Sequence, residues 1–249
     1  MFCQVLDLGL IEYEPAWRLQ EEYAGQIAAG ARAPTLLLLE HPHVYTLGRK
    51  GRAENLLWDE AKRSEKGVAL HWVDRGGDIT YHGPGQLVGY PLIPLGRPQA
   101  EAGGEARIPQ ADYVGYVRKL ERTMILALAR LGVPSLQRPG LTGVWAPGGA
   151  FARSPRCRPE DRDKSAKLAA IGVKVDAHGI TRHGFALNVN PDMSYWDGII
   201  ACGLPDDPVA SLAELLDQPP DMQRVKQAVV LAFSEVLDVL ISASTRAGN

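Results

Sequence analysis

The segment RGGDITYHGPGQLVGYPL, Arg75 to Leu92, constrains this chain more than any other. It sets five glycines, two prolines, an arginine, an aspartate and a histidine between apolar runs. A hairpin turn needs only a few such residues, and Gly83–Pro84–Gly85 would supply them. That reading leaves Arg75, Gly76, Gly77 and the Tyr81–His82 pair unexplained. Consecutive glycines behind a strand also let backbone approach a ligand closely, and their N–H groups can hold a carbonyl oxygen or an anion. Composition alone leaves the turn and the ligand loop open as alternatives. The segment lacks the Gly-Lys-Ser/Thr ending of a phosphate-cradling loop and the G-x-G-x-x-G of a dinucleotide fold, which argues against an ordinary ATP or NAD site.

A chain of 249 residues can form one large domain or two small ones. With 45% apolar and 22% charged residues it has the balance of a soluble globular protein. A formal net charge of −2 argues against a dedicated nucleic-acid binder. The start, MFCQVLDLGL, lacks the basic n-region and apolar core of a signal peptide, and no apolar run reaches bilayer-spanning length. Cys3, Cys157 and Cys202 are an odd set at unrelated spacings, which fits a reduced, cytoplasmic chain better than a disulfide framework. The expectation is an intracellular enzyme with neither nucleic acid nor membrane as partner.

Strand-like runs recur at Cys3–Leu8, Thr35–Glu40, Val68–Val73, Gln86–Ile93, Leu168–Val175 and Gly184–Val189. Helical periodicity marks Glu14–Ala29, Asp112–Leu131 and Asp221–Leu240, with Asp112 and Asp221 placed as N-caps. Strands dominate the middle without regular alternation with helices, so the pattern predicts an α+β fold. Gly96–Pro109 and the Arg-, Pro- and Asp-rich Ala146–Ala166 read as loops. Residues 1–241 read as a single domain, and 242–249 as a frayed or disordered tail.

Three further motifs carry reactive side chains. In EHPHVYTLGRKGR, His41 and His43 stand two apart, but no third ligand sits at a zinc spacing, so no metal site is expected. KLAAIGVKV opens on Lys167 and carries Gly172 inside a strand. Such a lysine is either a surface residue at a strand edge or one aimed into a cleft, where the inner glycine would allow close approach. In GIIACGLP, Cys202 lies between an apolar run and Gly203, and a lone cysteine in such company is more often inert core than nucleophile.

Taken together, HPHVYTLGR, RGGDITYHGPGQLVGYPL, KLAAIGVKV, HGFALNVNPD and ACGL resemble, in order, the lipoyl(octanoyl) transferase family. The likeness runs from about His41 to Leu204, with His43 where a second proline is expected. It implies a biotin/lipoate protein ligase-like fold, a mixed sheet flanked by helices. It also implies transfer of an octanoyl or lipoyl group from acyl carrier protein to a lysine of lipoyl domains, those of 2-oxoacid dehydrogenases and the glycine-cleavage H protein, with no cofactor and no metal. Residue by residue, Cys202 matches the acyl-accepting cysteine and Lys167 the lysine that assists it. Arg75, Gly76, Gly77, Asp78, Ile79, Thr80, Tyr81 and His82 match the acyl-pocket lining, as do Ala170, Ile171, Gly172, Gly184, Phe185 and Ala186.

The chemistry suits those residue types. Glycines 76, 77, 83 and 85 would let backbone wall a narrow apolar slot, and His82 or nearby amides would support the thioester oxygen as charge builds on it. A lysine beside the thiol favours the thiolate and can shuttle a proton, and Lys167 or His82 would deprotonate the incoming lysine. Arg49, Lys50, Arg52 and the arginines of 153–162 would then meet acidic partner proteins. Two rival readings are an ATP-dependent lipoate or biotin ligase, which needs no cysteine, and a non-catalytic acyl-binding module, which needs neither Cys202 nor Lys167.

Overall fold

The computed structural model describes residues 2–96, 99–100, 106–107 and 112–246. In chain order the elements are β1 (Phe2–Leu10), α1 (Tyr13–Ala28), β2 (Thr35–Glu40), β3 (Val44–Leu47), α2 (Glu60–Glu65), β4 (Ala69–Trp72), β5 (Ile79–His82) and β6 (Gln86–Leu92). Then follow β7 (Gln99–Ala100), β8 (Ala106–Arg107), α3 (Tyr113–Arg130), β9 (Val144–Ala146), β10 (Ala166–Val175), β11 (Thr181–Asn188), α4 (Leu212–Leu215), α5 (Met222–Leu237) and β12 (Leu240–Arg246). A seven-stranded mixed sheet runs β12-β1-β2-β6-β11-β10-β9, parallel across β12, β1 and β2 and antiparallel beyond. A small sheet, β4-β3-β5, stands apart from it.

The run TLLLLE explains how the large sheet is covered. Successive strand residues point to opposite faces. Leu36 and Leu38 therefore join the core under α3 and α5, with Leu120, Met124, Val229 and Phe233, while Leu37 and Leu39 pack on the α1 side with Ala16, Ala24 and Ile27. Four consecutive leucines, Leu36–Leu39, suit a strand buried on both faces. Asp112 Oδ1 accepts from Gly115 N–H at 2.7 Å and Asp221 Oδ1 from Arg224 N–H at 2.7 Å, so both predicted caps form.

Three sequence expectations need correction. The last helix stops at Leu237, where Asp238 turns left-handed (φ 53°), and Leu240 begins a strand instead of ending the helix. Residues 242–246, read as tail, pair in parallel with β1 (Ser242 with Gln4, Arg246 with Asp7), because the open edge of β1 offers a ladder that propensity at the chain end cannot reveal; 247–249 lie outside the described residues. Ala146–Ala166 holds two short 3₁₀ turns, Ala150–Arg153 and Pro159–Asp161, anchored by buried Phe151 and by Asp161 between Arg158 and Lys164. Of Gly96–Pro109, apart from Gly96 only the paired β7 and β8 are described. No helix among the described residues is long and apolar enough to cross a membrane.

Candidate active site

On the α1 side of the large sheet lies a cavity of about 190 Å³, roofed by the small sheet and the Arg75–Asp78 turn. Its lining contains Cys202, Lys167, Arg75, Gly77, Asp78, Thr80, His82, Ala170, Ile171, Gly172, Gly184, Phe185 and Ala186. Residues scattered over more than a hundred positions of chain thus meet at one place. Cross-strand pairing brings the walls together, with Ala170 opposite Ala186 and Gly172 opposite Gly184 on β10 and β11.

Three expected lining residues do not reach the cavity. On β5 the two-residue period turns Thr80 and His82 inward, while Ile79 and Tyr81 point the other way, into a separate apolar cluster with Tyr45, Leu47 and Trp196. Gly76 acts through backbone: its N–H donates to Val173 O at 2.9 Å, and a Cβ on Gly172 would lie 2.8 Å from Gly76 O. The missing side chain of Gly172 therefore lets the Arg75–Gly77 turn lie flat on β10. Gly85, with φ of 85°, is pressed against Asn190, whose oxygen would sit 2.2 Å from a Cβ. The glycines serve mainly to bring backbone segments together around the cavity, and of glycines 76, 77, 83 and 85 only Gly77 lines it.

At one end sit Cys202 and Lys167. Cys202 occupies a 3₁₀ turn, Ala201–Gly203, with φ of 57°, a left-handed conformation unusual for a residue with a side chain. The turn is pinned from below: Asn55 Nδ2 donates to Asp78 Oδ2 at 2.6 Å, Ile200 N–H donates to Asn55 O at 2.8 Å, and Gly203 passes so close to Asp78 that a Cβ would meet its carboxylate at 2.7 Å. Lys167 is buried at the start of β10. Its N–H donates to Pro208 O and its carbonyl accepts from Ala210 N–H, which laces it to the segment just after Cys202. Its Nζ lies 4.8 Å from the centre of the Trp145 ring, and among the described residues no carboxylate stands within 4.0 Å of it. This buried amine is the cleft-facing alternative left open by the sequence.

Arg75 is a buried guanidinium without a carboxylate partner among the described residues. Its amino nitrogens donate to Thr46 O (2.7 Å), Thr46 Oγ1 (2.9 Å) and Gly76 O (2.9 Å), while Nε has no partner. Burial pushes its pKa down, and the nearby Tyr13 and Cys202 oppose that shift. Thr80 Oγ1 is likewise buried and unpartnered.

His82 lines the cavity, where its ring stacks on Tyr13 at 6.2 Å and its Nε2 lies 3.5 Å from Thr46 Oγ1. Gln86 uses its amide N–H groups on Tyr81 O and Asn188 Oδ1, so its oxygen accepts from His82 Nδ1–H at 2.7 Å. Burial drives the His82 pKa well below its usual value, keeping the ring neutral.

The cavity lining also holds residues the sequence reading missed, Tyr13, Tyr90 and His183. His183, at φ 56°, sits directly before Gly184, and Tyr90 lies within the glycine-rich stretch itself. Nothing in local sequence marks Tyr13, which arrives from α1. Leu141 and Leu204 also line the cavity. His41 and His43 diverge: His41 bonds Ile11 O and Tyr90 OH, each at 2.8 Å, whereas His43 bonds Tyr81 OH and stacks on Tyr195. Among the described residues no cluster of three His, Cys, Asp or Glu is placed to hold a metal.

The sequence matches the lipoyl protein ligase A/B catalytic domain over residues 12–234. This chain belongs to that family. Among curated relatives, an octanoyltransferase of Chloroflexus aggregans is 40% identical over 235 residues, covering 94% of this chain and 95% of the relative. An octanoyltransferase of Geobacter metallireducens is 40% identical over 234 residues, covering 94% and 93%. The fold of this family member is close to the bipartite lipoate protein ligase of Thermoplasma acidophilum, with TM-score 0.69 at 18% identity over 99% of this chain and 89% of that one. A lipoate-protein ligase A structure with bound ATP gives TM-score 0.67 at 17% identity, covering 99% and 90%. The α+β, ligase-like mixed sheet expected from sequence is the fold observed.

Proposed function

We infer that this chain is an acyltransferase of protein lipoylation that moves an octanoyl group from an acyl carrier protein to a lysine of a lipoyl domain. The observation that carries this reading is the placement of Cys202 and Lys167 on one cavity with the small-residue walls Ala170, Gly172, Gly184 and Ala186. Relatives at 40% identity over nearly the whole chain are octanoyltransferases, which supports the same activity. In the first half-reaction, the proton of Cys202 Sγ passes to Lys167 Nζ and the thiolate attacks the donor's thioester carbon. The carbon–sulfur bond to the carrier breaks, and the carrier leaves as a thiol with the proton that Lys167 returns. In the second half, the acceptor's lysine amine attacks acyl-Cys202, its surplus proton goes to Lys167 Nζ, and Sγ departs as an amide forms.

Thr80 carries an unpaired hydroxyl among the cavity-lining residues, and we assign to it and to backbone amides beside Cys202 the support of the thioester oxygen. The donor thioester is already activated, so the transfer needs no ATP. A ligase on this fold has no use for Cys202, which favours the transferase. The catalytic unit is taken as one body from Phe2 to Arg246, because a single sheet spans those ends. Cytoplasmic location follows from the carriers proposed as partners.

Intact-protein mass spectrometry tests the reading. Wild type incubated with octanoyl-loaded acyl carrier protein, without ATP, is expected to gain one hydroxylamine-sensitive octanoyl adduct that Cys202→Ala lacks. No adduct with a competent donor, together with pyrophosphate release from octanoate and ATP, would move the assignment to a ligase.

A further inference from the structure

We propose that Tyr13, Tyr90, His82 and His183 form a fixed end wall that measures the acyl chain, with Tyr13 as its removable stop. The inference rests on the transferase reading above and adds the chain-length rule.

Strand geometry gives the cavity a scale. Lys167 and Gly172 are five residues apart on β10, about 17 Å of strand. An extended eight-carbon acyl chain, about 10 Å long, fits within that span. Two facing pairs along this span are small. Ala170 pairs with Ala186, and one step further Gly172 pairs with Gly184. Tyr90, beside Gly184 on β6, is where the lining turns bulky.

The rings of the wall touch one another. Tyr13 stacks on His82 at 6.2 Å between centroids, and Tyr90 meets His183 edge-on at 6.2 Å. Most of the wall is held from behind. His41 Nδ1–H donates to Ile11 O, so its Nε2 accepts from Tyr90 OH, both at 2.8 Å. His82 is tied to Gln86, and His183 Nε2 to Asp74 Oδ1 at 2.7 Å. These three cannot swing aside without leaving buried polar groups unpaired. Tyr13 differs. It comes from the first turn of α1, not from a sheet, and its hydroxyl has no hydrogen-bond partner among the described residues. Packing alone holds it across the end, with His71 stacked on it at 5.4 Å. Removing its ring should lengthen the cavity without unpairing any other group.

The test measures adduct formation on Cys202 with acyl carrier protein loaded with hexanoyl, octanoyl, decanoyl or dodecanoyl groups, so that carrier docking cancels. One methylene too many in a closed apolar pocket costs about 10-fold or more in rate. Wild type should therefore favour octanoyl over dodecanoyl by at least about 10-fold, and Tyr13→Ala should raise the dodecanoyl-to-octanoyl ratio by at least about 10-fold. Ala186→Leu, which fills the middle of the slot, should keep hexanoyl transfer and lose octanoyl by a similar factor. This second variant decides the matter if Tyr13→Ala fails to fold. An unchanged ratio in a folded Tyr13→Ala, or equal loss of hexanoyl and octanoyl in Ala186→Leu, would overturn the end wall. Absence of any adduct on wild type would instead overturn the transferase reading.

Discussion

Asp74 receives His183 Nε2 at 2.7 Å on one oxygen, and Arg182 (2.6 Å) and Lys174 on the other. Burial pushes its carboxyl pKa up, but the bonds from His183 and Lys174 and the charge of Arg182 more than reverse this, holding it well below the usual carboxylate range. A carboxylate depressed on folding adds stability that is fully present above its unfolded pKa, about 3.9, and is lost as pH falls through the lower folded value. Asp74→Asn removes that term and leaves Lys174 and Arg182 short of a partner. At pH 7 the variant should lose about 2 kcal/mol, or roughly 4–8 °C in Tm, less than the full cost of breaking a wholly buried pair because Asp74 keeps some solvent contact. Thermal melts from pH 7 down to about pH 2 should show wild type and variant converging below about pH 4. Curves that stay parallel would mean that Asp74 titrates alike in both states.

At the scale of elements, α3 shapes the mouth of the cavity through one buried side chain. Glu121 accepts from Gly143 N–H at 3.0 Å, from Gln137 Nε2 at 2.7 Å and from Arg118 at 2.6 Å. It thereby clamps the two ends of the segment whose centre, Gly140 to Thr142, borders the site. Glu121→Ala leaves a buried N–H and an amide unpaired, with an expected loss of about 2–3 kcal/mol. Octanoyl adduct formation should slow as the segment loosens, and Glu121→Gln, which keeps an acceptor, should fall between the two in both melt and rate. A Glu121→Ala protein as stable and as fast as wild type would show that the clamp is idle.

For the whole molecule, the question is how a near-neutral protein meets its carriers. Arg49 and Lys50 are exposed and lack ion pairs among the described residues, and their backbone N–H groups are pinned to Arg75 O and Gly77 O beside the cavity. Arg156 and Arg158, by contrast, already pair with Glu214 and Asp161, so the arginine-rich segment offers less free charge than its sequence promised. We propose Arg49 and Lys50, beside the cavity, as contacts that steer an acidic carrier, with exposed Arg153 and Arg162 adding to them. The double variant Arg49→Glu, Lys50→Glu should raise KM for acyl-loaded carrier severalfold and leave kcat unchanged. Raising the salt to about 0.5 M should weaken wild type toward the variant, since screening at that strength acts within several ångströms. Equal salt dependence in both would place docking elsewhere.

Local chemistry carried much of this protein on its own. The leucine run of β2, the caps Asp112 and Asp221 and the glycine-rich stretch state their structural needs within a few residues, so strands, helices and the neighbourhood of the cavity were legible. Ordered motifs likewise pointed to Cys202 and Lys167. Only the tertiary structure decided what depends on contacts between distant segments. It turned Ile79 and Tyr81 away from the cavity by strand parity, added β12 to a free sheet edge, and brought Tyr13 from a helix into the cavity wall. The physical reason is that a side chain's type and local backbone preference are written where it stands, whereas the face it presents and the neighbour it meets are set by pairing across the whole sheet.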